Sequence, residues 1–549
     1  MSTTTIDTAP PRAHASLRSA ALPLAALCLA FFVEMVDNTL LSVALPTIGR
    51  SLESGTTGLQ WVTGAYSLTF GGLLLTAGSA ADRFGRRRVL LTGLAAFGVI
   101  SLAVVLVTDI GQLIALRAAL GAAAAAMAPV TMSLVFRLFD DERLRMRSIT
   151  IVMIVGMSGM VLGPLLGGSV LAAVSWQWLL VVNAPIALLV WIGVRLGVPA
   201  DRRADLTSER LDLPGTVLTV AAIGLGCYTL TSGVQHGWLA PVTLACAAGA
   251  VAAVAGFVVR ERRAASPMID LAIFRAGPVR GAALTQLGAS VGFASILFGL
   301  ILHFQYAYGW SPVRAGLANL PVIVTMIAAT PITERLAARL GHRMACLVGT
   351  GLLVAGLGGM AWAVEHGYVA IAAMMVLLTI GLRTILTICA VALVEAMPAN
   401  RTSIGAALND TAQELGTSLG TAVVGTLIAA LVTDVLPVGA WTAELVQTFF
   451  TGERIAYAAV AVLVGVIATI GALSSPTPAR PRSRPRTRSR PRPAPSAPRR
   501  ERPRGGRVAS PPPQPTRASS SRDRSTTSAV ATGSDDGSDA SVNRCASPS

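Results

Sequence analysis

Gly156–Gly168 reads GMSGMVLGPLLGG: five glycines and a proline within thirteen residues of an apolar run long enough to cross a membrane. Glycine and proline both weaken helices in water, so their concentration here needs a reason. Two readings fit the letters. Gly156-Met-Ser-Gly159 has the form of the nucleophile turn of an intramembrane serine protease, with Ser158 as nucleophile. Alternatively, Gly159, Gly163 and Gly167 recur every fourth residue and lie close to one helix face, where a neighbouring helix can approach. Pro164 then removes a backbone donor and bends the helix, which packed neighbours tolerate. The protease needs a histidine base within reach, and only His303 lies near an apolar run. The packing reading needs a bundle of membrane helices around it.

Working outward, the chain supplies that bundle. Of its 549 residues, 53% are hydrophobic, 13% are charged, and the mean hydropathy is +0.63. The charged share is about half that of a soluble domain. The apolar residues come in blocks of about twenty with almost no charge, the length that crosses ~30 Å of hydrocarbon as helix. Fourteen candidate spans follow: 20–45, 59–80, 89–108, 112–135, 149–171, 177–197, 213–232, 239–259, 281–304, 316–333, 344–363, 369–393, 405–432 and 455–474. The first is too long for a signal-peptide core and contains Glu34 and Asp37, so it reads as a retained span.

The net charge of +16 is no sign of a nucleic-acid partner. Residues 476–549 hold 16 Arg against Glu501, Asp523, Asp535, Asp536 and Asp539, and the other 475 residues carry only +5. This segment alternates Arg with Pro and Ser, has no apolar face to bury, and is expected to be disordered. Lys is absent and all 44 basic residues are Arg; with the abundant Ala and Gly, that bias suits a GC-rich bacterial genome. Cys28, Cys227, Cys246, Cys346, Cys389 and Cys545 show no metal-ligand spacing and read as small packing residues.

Arg also orients the chain. It clusters in the connections after even-numbered spans, whereas those after odd-numbered spans hold only Arg50, Arg314 and Arg454. Positive residues stay cytoplasmic, which places both termini inside. Ala81-Asp-Arg-Phe-Gly-Arg-Arg87 after span 2 is echoed by Ala337-Ala-Arg-Leu-Gly-His-Arg343 after span 10. Such an echo is what a duplicated half related by an axis along the membrane normal leaves. The expected organisation is therefore a cytoplasmic segment 1–19, a six-helix bundle 20–197, a linker 198–276 with two accessory helices, a second six-helix bundle 277–474, and a cytoplasmic tail 475–549.

Charges inside spans are costly and mark function. Glu34 and Asp37 lie about one turn apart in span 1, on neighbouring positions of one face. Carboxylates removed from water are suited to taking up and returning protons. Arg117 in span 4 needs a carboxylate or carbonyl partner, and the two spans together suggest a switchable ion pair. A static structural pair is the plain alternative. Arg383 in span 12 needs an acid too, with Asp410 and Glu414 of span 13 as the options, unless it snorkels. His303, near the outer end of span 9, reads as an interface residue. Seven tryptophans (Trp61, Trp176, Trp178, Trp238, Trp310, Trp362 and Trp441) fall at span ends, as in an aromatic belt. After span 2, Gly78, Asp82, Arg83, Gly85, Arg86 and Arg87 form more than a positive anchor: Asp82 can accept from amides or an Arg, and Gly85 permits a tight turn.

Together these motifs resemble the major facilitator superfamily, and within it the fourteen-span drug:proton antiporters. Gly78…Asp82-Arg83…Gly85-Arg86-Arg87 resembles the family's loop 2–3 motif. Arg117 and Gly121 resemble its span 4 motif for proton coupling. Asp37 in VDNTLLSVALP resembles the first-span signature of the fourteen-span exporters. Gly159, Gly163, Pro164, Gly167 and Gly168 match the antiporter motif, and Asp410–Gly420 is similar to a span 13 segment. The resemblance covers residues 20–474. It implies an all-α polytopic membrane protein of the major facilitator fold: two six-helix bundles around a central cavity, plus two accessory central helices.

It further implies a monomer in the bacterial plasma membrane that exports an amphipathic drug or antibiotic in exchange for protons, with no cofactor or metal. Asp37, Glu34 and Arg117 would couple protons or bind substrate, with Arg383, Asp410 and Glu414 as a possible second-half site. Self-resistance to an antibiotic is the preferred role, general multidrug efflux the close alternative; proton-coupled uptake of a metabolite is a further one. Two departures stand out. Ala338 replaces Asp82 in the second-half echo, and Arg383 stands where such exporters usually have a small residue.

Overall fold

The computed structural model describes residues 14, 16–201, 206, 211–264, 271–396, 402–432 and 441–474. The expected tail 475–549, most of segment 1–19 and much of the connections at 202–210 and 265–270 lie outside the described residues. Every apolar block becomes helix, because a helix satisfies its own backbone where water cannot. The first part of the chain forms α1 Ala21–Ser51, α2 Thr56–Phe84, α3 Arg86–Ala103, α4 Ile110–Ala125, α5 Ala128–Arg137, α6 Glu142–Leu171, α7 Gln177–Val181 and α8 Asn183–Gly197. Next come α9 Leu213–Gln235 and α10 Pro241–Arg263. The last part forms α11 Gly277–Leu302, α12 Pro312–Leu317, α13 Leu320–Ala328, α14 Thr330–Ala363, α15 Tyr368–Glu395, α16 Thr402–Leu431 and α17 Ala443–Ser474.

Each of the fourteen segments read from the sequence falls on helix, and eleven helices among the described residues are long and apolar enough to cross a membrane. Short polar caps start several of them. Asp109 accepts from Gln112 N (3.0 Å), Asp141 from Leu144 N (2.8 Å) and Asp212 from Gly215 N (3.1 Å), each satisfying an amide the helix leaves open. One boundary is corrected. The last helix starts at Ala443, not 455, which brings Glu453 inside it.

The two parts of the chain pack by the same scheme. In the first, α1 lies against α6 and α8, and α3 against α4 and α8. In the second, α11 lies against α16 and α17, and α14 against α15 and α17. The repeat extends to a single dihedral. Gly85 after α2 has φ +101° and Gly341 within α14 has φ +74°, so the chain reverses in the left-handed region at both copies. The turn at Gly85 is latched at two points. Asp82 binds Arg86 of its own turn (2.6 Å). The carboxylate that accepts the Arg87 amide is Asp201, beyond α8 (2.9 Å), and the Arg87 side chain donates to Arg195 O. Arg83 lies over the Phe84 ring, and Gly78 faces open space.

Contacts between the parts concentrate on two seams. Along one, α2 meets α16: Gly64 faces Ser418 and Thr421, and Gly71 faces the Glu414 side chain. The accessory helix α9 joins this seam, since Gln60 Nε2 donates to both Thr231 of α9 (3.0 Å) and Thr426 of α16 (3.2 Å). Along the other, α6 meets α12 at the end bearing few Arg residues. There Gly316 faces Pro164 O and Gly168 faces Val313.

The structure also identifies the helix that approaches the glycine run. Gly159, Gly163 and Gly167 do share a face, yet it packs on α1 of the same bundle: a Cβ at Gly159 would stand 3.0 Å from Phe32 O, and one at Gly167 3.0 Å from Leu40 O. At the end of the run, Pro164 and Gly168 touch the other half. Because backbone, not a flexible side chain, occupies that space, Gly167→Leu is expected to insert normally but to lose about 1–3 kcal/mol to overpacking. Thermal unfolding in detergent checks this: the midpoint should fall by several degrees, and an unchanged midpoint would refute the packing assignment.

Candidate functional site

The polar centre of the first bundle is built on α1, α2, α4 and α8. Asp37 is 1% exposed, and its two oxygens have separate partners: Arg117 Nη1 donates to Oδ2 (2.8 Å) and Asn183 Nδ2 to Oδ1 (2.6 Å). Arg117, also 1% exposed, sends Nε towards Val62 O (3.4 Å) and lays its guanidinium 4.2 Å from the centre of the Tyr66 ring. A buried charge needs this much: an opposite charge, a carbonyl and an aromatic face. The ion pair inferred from spans 1 and 4 is thus formed. Gly121 lets α4 come close enough to present Arg117, for its face lies against Tyr66 O and Thr69.

Glu34, one turn before Asp37, is 3% exposed, and its Oε2 has no hydrogen-bond partner. The carboxylates of Glu414, Asp410 and Asp37 lie within Coulombic range of it. Glu414 is buried, with its Oε2 unpartnered, while Asp410 is exposed and takes a bond from Asn409 (3.2 Å). Acids of α1 and α16 therefore form one cluster, within electrostatic reach of one another. It is a site with surplus negative charge, one guanidinium and open acceptors, chemistry suited to a proton or to an organic cation.

Arg383 does not join it. Its Nη2 donates to Thr330 Oγ1 (3.3 Å), its Nε is buried without a partner, and it forms no ion pair with Asp410 or Glu414. The reason is rotational: α15 turns this face towards Thr330 and, one residue on, Thr384 towards Thr333 (3.3 Å). His303 is likewise not an interface residue. It is fully buried, with Nδ1 2.6 Å from Glu453 Oε2. Trp176 is buried too, whereas Trp178, Trp238 and Trp362 are exposed as a belt requires. Ser158 donates to Val155 O of its own helix (2.6 Å) and has no histidine partner.

Three participants escaped the sequence reading. Asn183 was legible as a lone amide in an apolar span, but nothing in its surroundings named Asp37 as its partner. Tyr66 carried no signal, since a span-2 tyrosine reads as packing. Glu453 fell outside the span as its boundary was drawn.

Two bundles of repeated packing around a buried ion pair are the architecture of a membrane transporter. The chain belongs to the Major Facilitator Superfamily, whose sequence profile matches residues 27–421. It is 32% identical over 442 residues to the tetracenomycin C resistance and export protein of Streptomyces glaucescens, covering 80% of this chain and 82% of that one. It is 33% identical over 414 residues to a multidrug efflux pump of Mycolicibacterium smegmatis, covering 74% and 80%. Among solved structures, a bacterial homologue of the lysosomal transporter Spinster superposes with a TM-score of 0.60 at 13% identity, over 84% of this chain and all of that one. The protein is accordingly a multi-pass membrane transporter, and Ser158 is a packing residue, not a nucleophile.

Removing one partner of a buried pair strands the other charge, which costs about 3–5 kcal/mol. Arg117→Met is therefore expected to destabilise the protein strongly, and Asp37→Asn in the same chain to restore most of the loss. Thermal unfolding of the two single variants and the double variant measures this; strictly additive losses would show that the two groups do not interact.

Proposed function

We propose that the protein exports an amphipathic drug or antibiotic from the cell, driven by protons moving inward. The observation that carries this reading is the wholly buried Asp37–Arg117 pair beside the open Glu34 carboxylate. A proton on Asp37 cancels one member of the pair and releases the guanidinium. A cationic substrate at Glu34, Asp410 and Glu414 competes for the same negative charge. Proton and substrate then occupy the site in turn, and each shifts the conformational equilibrium by its differential affinity for the two states. That the relatives named above are resistance and export proteins supports export over uptake.

The Arg distribution supports a topology with the loop after α2 in the cytoplasm of a bacterial cell, both termini inside, and fourteen crossings in two bundles plus α9 and α10. On that topology the seam at Gln305, Tyr306, Val313 and Gly316 closes the outer end. The loop of Asp82–Arg86 and Arg87–Asp201 lies on the cytoplasmic side, where it stiffens the joint between α2, α3 and α8. No cofactor takes part in this scheme; protons are the coupling ion, and a monomer suffices for it. Self-resistance to an antibiotic is the role we favour.

Inverted membrane vesicles with an acid interior test the coupling. The wild-type protein should concentrate a fluorescent cationic drug until the gradient is collapsed, and Asp37→Asn should reduce accumulation to that of vesicles lacking the protein. Full accumulation by a well-inserted Asp37→Asn variant would remove Asp37 from proton coupling.

A further inference from the structure

A further buried acid lies away from the central site. Glu453 of α17 is 0% exposed and uses both oxygens: Oε2 stands 2.6 Å from His303 Nδ1, and Oε1 accepts from the Tyr457 hydroxyl (3.4 Å). His303 is also 0% exposed, and its Nε2 has no partner among the described residues. The arrangement fixes the proton inventory. With neutral histidine, Nδ1–H donates to the Glu453 carboxylate, Nε2 offers a bare lone pair, and the cluster carries one negative charge. One added proton makes it neutral overall.

Among the described residues, the surroundings supply no compensating cation to this cluster. Tyr308 touches the imidazole edge-on (4.5 Å between ring centres), and Phe450 stacks on it (5.2 Å). Tyr368, at the start of α15, packs on Phe304 and Trp310, one ring removed from the imidazole. Arg454, next in sequence, is exposed and pairs with Glu365 (3.1 Å). Arg50 and Arg314 lie over Tyr306 and Trp310 instead. An unpaired charge in such a place is costly, so full burial suits the cluster when it holds the extra proton, and exposure to water suits it when it does not.

His303 also begins a single π turn, His303–Ala307, at the end of α11; such turns are often found at functional sites. The same turn carries the closure between the halves. Gln305 Nε2 donates to Val43 O (2.8 Å) and Tyr306 OH to Pro46 O (3.3 Å), both on α1. One five-residue element thus holds a titratable group on one side and the outer seal on the other.

We propose that the His303–Glu453 pair is a second proton-binding site, in the C-terminal half, whose occupation keeps the outer end sealed through the Gln305–Tyr306 contacts with α1. This rests on the export reading for which end is outside. It deepens that reading: a proton arriving from outside closes the gate through which substrate has left, while Asp37 exchanges protons at the centre.

The test reads the gate without transport. Val43→Cys, introduced into the full chain with native cysteines replaced, reports opening through its rate of labelling by an impermeant maleimide from the outer face. Raising the outer pH from about 6 to about 8 should speed labelling by up to about tenfold per pH unit, after correction for thiol ionisation on a denatured control. Glu453→Gln keeps the shape and the hydrogen-bonding groups but stays neutral; its labelling should be slow and independent of pH. His303→Asn keeps a donor towards Glu453 without the imidazole and should move the midpoint by a full pH unit or more. Arg454→Gln, in the exposed neighbouring pair, should respond as the parent does. A Glu453→Gln protein that keeps the parental pH response overturns the proposal. If that variant does not insert, an unmoved midpoint in His303→Asn overturns it equally. Asp37→Asn in the reporter chain separates the two readings: loss of driven accumulation with an intact gate response supports both, whereas intact accumulation sinks only the coupling role of Asp37.

Discussion

Two charges removed from water govern the first half of this molecule. Asp37 and Arg117 are held on different helices, so each helix must arrive at the right depth and rotation before either charge is satisfied. The cost of stranding one is comparable to the whole stability of many domains. Packing is arranged to serve that pair: Gly121 brings α4 against α2, the Tyr66 ring covers the guanidinium, and Asn183 fixes the second carboxylate oxygen. The glycines of α6 belong to the same arrangement, because they seat that helix directly on the stretch of α1 that carries Glu34 and Asp37.

The two halves repeat their packing without repeating their chemistry. Helix pairs correspond across the repeat, as do Gly85 and Gly341. The charges do not. The first half buries an arginine with its acid; the second buries a histidine with its acid, nearer the end with few Arg residues. A duplicated scaffold that carries two different titratable pairs, at different depths, can place proton exchange at more than one point along the route.

Much of this was legible in the sequence because the hydrocarbon imposes strong rules. Span length follows from bilayer thickness, and Arg asymmetry set the orientation proposed here. An intramembrane Asp with an intramembrane Arg named its own partner, as Asp37 and Arg117 did. What remained hidden depends on helix rotation or on boundaries. Arg383 looked like a partner for Asp410 or Glu414, but a helical position fixes neither the azimuth nor the neighbour, and it faces Thr330. Glu453 and His303 were read at a polar margin because an acid lowers local hydropathy, the quantity by which spans are drawn. The seat of Gly159, Gly163 and Gly167 was legible as a face; that it meets α1 and not the other half was not.

The single glutamine joining α2, α9 and α16 has a mechanical consequence. Over roughly 16 Å of α2, from Gln60 to Gly71 at 1.5 Å per residue, the seam closes on small and polar groups: Gln60 seats against Gly425, Gly64 faces Ser418 and Thr421, and Glu414 fills the notch at Gly71. Gln60 closes one end of that seam with two neutral hydrogen bonds, one to each neighbour. Bonds of this kind contribute about 0.5–1.5 kcal/mol each, enough to keep α9 in register. α9 is thereby tied to both α2 and α16 at one end of the seam, so a helix outside the two repeated bundles shares the polar contacts that join them.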